Sequence, residues 1–340
     1  MPNQSVAPSP TRFFNAANAY QTTAALKAAV ELDVFTALGQ GITSISDLAS
    51  QCEASERGLR ILCDYLVVSG FLTKDEGRYS LTPDTATFLN RRSPAYMGGA
   101  LEFLLSPQLM EGFSHLTDAV RQGGTALPEA GTLAPEHPVW VQFAQAMAPM
   151  MAMPAQLLAQ LVDPEAKQPL KVLDIAASHG LFGISFAQHN PQAYVVGLDW
   201  ENVLQVAQAN AHTAGVSDRY RMLTGSAFEV DYGKDYDVIL LPNFLHHFDI
   251  PTCEKLLTKV YAALVPGGRA VTFEFIPDEN RVSPPEAAAF SLTMLGTTPS
   301  GDAYTFAEYE RMFSNVGFSR NELHALPPAV QQVVISYKGN

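Results

Sequence analysis

Positive charge is scarce in this chain. Its 340 residues hold 21 lysines and arginines against 34 aspartates and glutamates, a formal charge of -13, and a surface of that sign repels nucleic-acid phosphates. Cysteine is also rare. Cys52, Cys63 and Cys253 are odd in number and widely spaced, which argues against a disulfide framework or a cysteine-ligated metal cluster and for reduced thiols in the cytosol. No segment runs about eighteen apolar residues unbroken, so no membrane partner is expected. Met1 to Pro10 shows no basic stretch followed by an apolar core, and the expected location is cytoplasmic. What is present is core-forming material: 47% hydrophobic and 16% charged residues over this length suit two domains.

The first half reads as helical. Leu26, Val30 and Val34 recur at four-residue spacing within 24–35, a second helix opens at 44–49 with a plausible cap, and 55–70 is a third, stopped by Gly70. Phe71-Leu72-Thr73 and Arg78-Tyr79-Ser80-Leu81-Thr82 flank the polar Lys74-Asp75-Glu76-Gly77, the pattern of a short hairpin. Helices followed by a hairpin make a winged helix, a fold often found on DNA. Between Ala24 and Asn90, however, five basic residues face nine acidic ones, without the basic footprint that a DNA reader needs. A scaffold that packs against another subunit is the expected role. Helical pattern resumes from Ala95 to Val162, interrupted over 123–138, and its last part is rich in methionine: Met147, Met150, Met151 and Met153. Such a stretch serves either as ordinary core or as an adaptable substrate wall. The polar run 163–169 marks the expected domain boundary, giving a helical domain over 1–163 and a second domain over 164–340.

Beyond it, strand candidates at 171–175, 194–198, 220–223, 236–241, 270–275 and 330–337 alternate with helical stretches, which predicts a parallel sheet wrapped by helices. Ligands of such sheets bind past the carboxyl ends of the strands, where Ser178, Asp199, Ser226, Asn243 and Glu274 emerge. Val172-Leu173-Asp174 feeds a turn of small residues, and Asp199 ends the next apolar run, placed to accept from two ribose hydroxyls. The turn is Ala176-Ala177-Ser178-His179-Gly180, without the Gly-x-Gly that lets a pyrophosphate approach the backbone. A cofactor with a ribose but no phosphate fits better, and S-adenosylmethionine is one.

Together with Leu245-His246, Val265-Pro266-Gly267-Gly268-Arg269 and Tyr304-Thr305, these features resemble the plant-type small-molecule O-methyltransferases, which include acetylserotonin and hydroxyneurosporene methyltransferases and many bacterial natural-product enzymes. The resemblance spans about Phe13 to Lys338. It implies an α/β fold: a Rossmann-like class I methyltransferase domain behind an N-terminal helical winged-helix domain that dimerises and helps close the site. It implies S-adenosylmethionine as cofactor, S-adenosylhomocysteine as product, a homodimer and a small-molecule acceptor. The backbone near Ser178 and Gly180 would meet the methionine tail, Asp199 and Trp200 the ribose, Ser226, Ala227 and Phe228 the adenine, and Asn243 the sulfonium. Phe143, Met147, Phe290 and Met294 would line the acceptor pocket. The family's general base lies seven residues before a cysteine, which selects His246 over His247, given Cys253. Taken alone, a histidine pair at a strand end also suits a hydrogen-bonded structural role.

Glu274, a lone carboxylate in an apolar strand, matches one of two acidic residues that orient the family's histidine. Ala303 stands where the second belongs, with Asp302 beside it. That gap leaves room for methyl transfer to sulfur, nitrogen or carbon, since a thioether needs no base; a ligand-sensing winged-helix regulator is a further alternative. No metal is implied, because His246 and Glu274 lack a zinc-ligand spacing.

Overall fold

The computed structural model describes residues 8–128 and 136–340. Two compact units divide the chain after Leu101. The first holds α1 (Thr11–Ala17), α2 (Ala19–Glu31), α3 (Val34–Gly39), α4 (Ile45–Gln51), α5 (Glu56–Val68), an antiparallel hairpin of β1 (Leu72–Asp75) and β2 (Arg78–Leu81), and α6 (Pro83–Phe88). The single helix expected through Phe35 breaks at Asp33, which takes a left-handed φ of 58° and starts α3 on a new axis. Ser44 caps α4 as expected, accepting from Asp47 N, and Ser55 caps α5 in the same way, accepting from Gly58 N. Phe35, Leu48, Leu59, Leu66, Leu72 and Tyr79 fill this unit's core. Asp64 on α5 fastens the hairpin, accepting from Lys74 Nζ at 2.6 Å and Tyr79 Oη at 2.7 Å, bonds that pull its carboxyl down to about 2.

The second unit begins within α7 (Leu101–Leu104) and continues through α8 (Pro107–Ser114), α9 (Leu116–Gln122) and α10 (Val139–Val162). Part of the expected interruption over 123–138 lies outside the described residues. The sheet elements follow: β3 (Leu170–Ile175), α11 (Leu181–His189), β4 (Ala193–Asp199), α12 (Glu201–Thr213), β5 (Tyr220–Thr224), β6 (Tyr236–Pro242), α13 (Ile250–Ala263), β7 (Leu264–Glu274), α14 (Pro285–Thr297), α15 (Phe306–Val316), β8 (Arg320–Ala325) and β9 (Gln332–Tyr337). Compactness divides the chain earlier than the polar run at 163–169 suggests, because α10 packs along α11 and α12 while α8 and α9 pack along α14. On α8, Gly112 sits so near the carbonyl of Gly296 that a Cβ there would lie 2.5 Å from its oxygen.

The seven strands run in the order β5-β4-β3-β6-β7-β9-β8. The sheet is mixed rather than parallel throughout: β3 to β7 pair in parallel, whereas β9 runs antiparallel to both β7 and β8. The cause is local. Only Leu326 to Gln331 separate β8 from β9, too short for the helical crossover that parallel pairing demands. Helices bury both faces of the sheet, and the strand interiors are accordingly continuous apolar runs such as Val238-Ile239-Leu240-Leu241. Among the described residues no helix is long and apolar enough to cross a membrane.

Candidate active site

At the carboxyl end of β3, Asp174 is fully buried and accepts from Gly183 N at 2.9 Å, tying the strand to the first turn of α11. Its second oxygen has no partner. Burial, reinforced by the nearby Asp199 charge and opposed by the Gly183 bond, pushes this carboxyl up to about 8. In the following turn Ala176, Ser178 and Gly180 take left-handed φ values of 56°, 53° and 74°, a conformation that costs an alanine or serine energy unless the surroundings enforce it. Here Ala177 N donates to Leu198 O at 3.0 Å, Ser178 N to Asp199 Oδ2 at 2.8 Å and Gly180 N to Ala177 O at 2.7 Å. The ring of Tyr220 underlies the loop: a Cβ on Gly180 would lie 3.0 Å from its hydroxyl, one on Gly183 would lie 3.3 Å from its edge, and one on Gly197 would overlap the hydroxyl.

Asp199, half-buried, also accepts from Trp200 N at 2.7 Å. Burial raises its carboxyl to about 6 against the pull of those two N–H groups. A carboxylate with two bonds accepted keeps lone pairs for hydroxyls. Nearby, Gly225 N donates to Asp199 O at 3.0 Å, pinning the loop after β5 that carries Ser226, Ala227 and Phe228. Phe228 stands edge-on to Phe248 with ring centroids 5.0 Å apart. At the end of β6, Asn243 also has a left-handed φ, 51°, and donates its N–H to Phe273 O. Its side-chain oxygen and the hydroxyl of Ser178 are buried without a protein partner, and such atoms are rare in folded proteins unless a ligand or water completes them. The expected cofactor residues therefore fit a ribose and an amino-acid tail.

Phe244 to His247 turn sharply off β6, bringing His246 against Glu274, the last residue of β7. Glu274 is fully buried. Its Oε1 accepts from Phe244 N at 2.9 Å and Leu245 N at 3.0 Å, and its Oε2 accepts from His246 Nδ1 at 2.5 Å. With Nδ1 donating, Nε2 of a neutral His246 carries the free lone pair. His247 lies alongside, ring centroids 4.2 Å apart, and its Nδ1 donates to Phe244 O at 3.2 Å. Burial, with the neighbouring His246, holds His247 far below the ordinary imidazole value, so it stays neutral. Cys253 Sγ donates to Leu245 O at 3.2 Å, and burial pushes its thiol well up.

Phe290 meets His246 edge-on at 4.8 Å and stacks on Phe275 at 4.1 Å. Trp140 contacts His247 at 5.3 Å and Phe143 at 5.9 Å, and Phe143 also contacts Phe103 at 5.0 Å. Half-buried Met147 follows Phe143 by one turn on α10, and buried Met294 follows Phe290 by one turn on α14. Sequence reasoning missed Trp140, Phe103 and Phe275. Trp140 had a signal, its spacing from Phe143 on one helix face; the other two had none. Asp302 turns away from the histidine, with Oδ2 3.3 Å from Arg281 Nη1 and Oδ1 accepting from Ala303 N, so its carboxylate does not fill the place left by buried Ala303. Among the described residues no cluster of potential metal ligands occurs.

Residues 14–91 match the O-methyltransferase dimerisation domain and residues 113–319 match the O-methyltransferase domain. The chain belongs to the O-methyltransferase family. The enzyme is S-adenosylmethionine-dependent, with the α/β methyltransferase fold, a mixed seven-strand sheet and an N-terminal helical dimerisation domain. It is 28% identical over 305 residues to the tetracenomycin polyketide synthesis 8-O-methyltransferase of Streptomyces glaucescens, covering 88% of this chain and 89% of that one. A candidate O-methyltransferase from Nostoc punctiforme PCC 73102 superimposes with a TM-score of 0.95 at 63% identity, covering 98% of this chain and all of the other. Human N-acetylserotonin methyltransferase, solved with S-adenosylmethionine, shares the fold at a TM-score of 0.85 and 22% identity over the whole of both chains.

Proposed function

We propose that this enzyme methylates a hydroxyl of a small, largely apolar metabolite and that His246 is the general base. The observation carrying this reading is the bond from His246 Nδ1 to a Glu274 carboxylate that is itself fixed by two backbone N–H groups. A neutral imidazole so oriented offers Nε2 to an acceptor hydroxyl, and the carboxylate steadies the imidazolium that forms as the proton arrives. Bound S-adenosylmethionine supplies the electrophilic methyl group. Asp199, with Trp200, would hold the ribose; Ser178 and the backbone at Gly180 the methionine tail; Ser226, Ala227 and Phe228 the adenine; Asn243 would lie near the sulfonium. No metal takes part in this scheme. Phe143, Met147, Phe290 and Met294, joined by Trp140 and Phe275, would clamp a flat apolar acceptor beside His246. Holding nucleophile and methyl carbon in line can contribute as much as roughly 7 to 11 kcal/mol.

The match to a dimerisation domain and the exposed Phe13, Phe14, Tyr20 and Val68 support a homodimer formed through the N-terminal unit. The acidic balance and free thiols suit the cytoplasm.

Purified enzyme with labelled S-adenosylmethionine, offered phenols, thiols and thioethers, tests the acceptor. For a hydroxyl substrate, His246→Ala should lower turnover roughly 10²- to 10⁴-fold with cofactor affinity nearly intact, because proton transfer is what is lost. His247→Ala should change turnover little. A large loss at His247 with none at His246 would reject the assignment.

A further inference from the structure

Ala303 leaves the catalytic histidine with one carboxylate partner, yet His246 is held from a second direction through its main chain. Its carbonyl accepts from Asp302 N at 2.9 Å. Gly301 packs so tightly there that a Cβ would overlap the His246 carbonyl oxygen and lie 3.0 Å from the carbonyl carbon of His247. The segment around Gly301 thus forms a backbone wall behind the base.

On its buried side Thr298 Oγ1 accepts from Gly301 N at 2.9 Å, and on its outer side Arg281 fastens the wall. Arg281 reaches from the loop after β7 and donates through Nη2 to both oxygens of Glu308, at 2.7 and 2.6 Å. Its Nη1 approaches Asp302 Oδ2 at 3.3 Å and Ala303 O at 3.4 Å. Glu308 in turn accepts from Thr305 N at 2.9 Å, at the start of α15. Arg281 itself has a left-handed φ of 57°, and its N–H donates to Asp278 O at 2.8 Å. A non-glycine residue keeps that backbone only where its surroundings enforce it.

These contacts close a circuit. Glu274 holds the ring of His246, His246 O is held by Asp302 N, Asp302 and Glu308 are gathered by Arg281, and the chain from Arg281 leads back to Glu274 at the end of β7. We infer that Arg281 is a positioning residue for the base, fixing the Gly301–Ala303 backbone against the His246 carbonyl where a second carboxylate on the imidazole is absent. The inference rests on the reading of His246 as general base. Arg281 touches neither acceptor nor cofactor in this role, and acts only through the histidine's main chain.

Magnitudes separate positioning from simple stabilisation. Arg281 and Glu308 side chains are 42% and 21% exposed, and ion pairs open to solvent contribute little to folding. A displacement of the base by an ångström or less, in contrast, is costly to the reaction. Removing the guanidinium should therefore leave the protein folded and reduce its turnover.

The test is a double-mutant cycle on full-length enzyme, with any phenol found to be methylated as acceptor. Arg281→Met should lower kcat about tenfold, with KM and the dissociation constant of S-adenosylmethionine within about twofold of the unmodified enzyme. Arg281→Lys keeps the charge without the planar two-pronged donor and should recover part of the loss. Glu308→Gln, which weakens the same clasp from the other side, should reproduce the Arg281→Met effect. In a His246→Ala background, Arg281→Met should cost nothing further, because the residue it positions is gone. An equal loss in both backgrounds, or no loss in the first, overturns the role given to Arg281 while leaving the base assignment standing. Full turnover in His246→Ala alone removes both.

Discussion

Asp174 and Asp199 end adjacent parallel strands, and their carboxyls are buried near one another with different partners. Asp199, the one with two backbone donors, titrates near 6, and Asp174, with one donor and one orphan oxygen, near 8. At neutral pH Asp199 is therefore the charged member. Asp199→Ala should weaken S-adenosylmethionine binding by about 1.5 to 3 kcal/mol, the range for hydrogen bonds to a charged group; unchanged affinity by calorimetry would remove the ribose assignment. Affinity in the unmodified enzyme should also fall as pH drops below about 6, where Asp199 gains its proton. For folding stability Asp174 carries the larger linkage. Its folded value lies above that of an unfolded aspartate, so the folded state binds the proton more tightly, and this contribution to stability is lost as pH rises toward and through about 8. The melting temperature of the ligand-free protein should decline from about pH 5 to about pH 8 and level off above that, and Asp174→Asn, which keeps an acceptor for Gly183 N, should flatten the decline. A variant whose melting profile still falls as steeply would show that another group is responsible.

Helix α15 opens on a capping box in which Thr305 Oγ1 accepts from Glu308 N and Glu308 Oε2 accepts from Thr305 N. Thr305→Ala should destabilise the protein by about 1 kcal/mol, readable as a lower denaturation midpoint. The strands that build the centre of the sheet were legible in sequence, since long apolar runs ending in Asp174, Asp199 or Glu274 have few other readings. Strand β8 was not. Arg320-Asn321-Glu322-Leu323-His324-Ala325 lacks apolar alternation, and it is extended because β9 supplies backbone partners along one edge. The start of β7 was hidden as well, because Val265-Pro266-Gly267-Gly268-Arg269 reads as a turn. The oddity of a carboxylate in an apolar strand showed that Glu274 needs a partner, and the family resemblance pointed to His246 as that partner. The Arg281 clasp was not, because its partners lie 21 and 27 positions further along the chain and only the fold brings them to it.

At the scale of the whole molecule, the N-terminal unit carries large apolar side chains in water, with Phe13 69%, Tyr20 66% and Val68 85% exposed. Patches of this kind usually mark contact surfaces. The enzyme should sediment as a homodimer that buries on the order of 2,000 Å² or more, and light scattering that reports only monomer at micromolar concentration would contradict this. Paired substitutions such as Phe13→Glu with Val68→Glu should shift the population toward monomer. The ring of Tyr220 has a different reach. Of the three glycines near it, Gly197 on β4 meets nothing closer than the tyrosine hydroxyl, which a Cβ there would overlap, whereas Gly180 is closed first by Ala207 and Gly183 first by Val195. The fates of Gly197 and Tyr220 in evolution are therefore joined. A lineage that keeps the tyrosine must keep this glycine, whereas one that first trims Tyr220 opens a single position on β4 and leaves the other two closed.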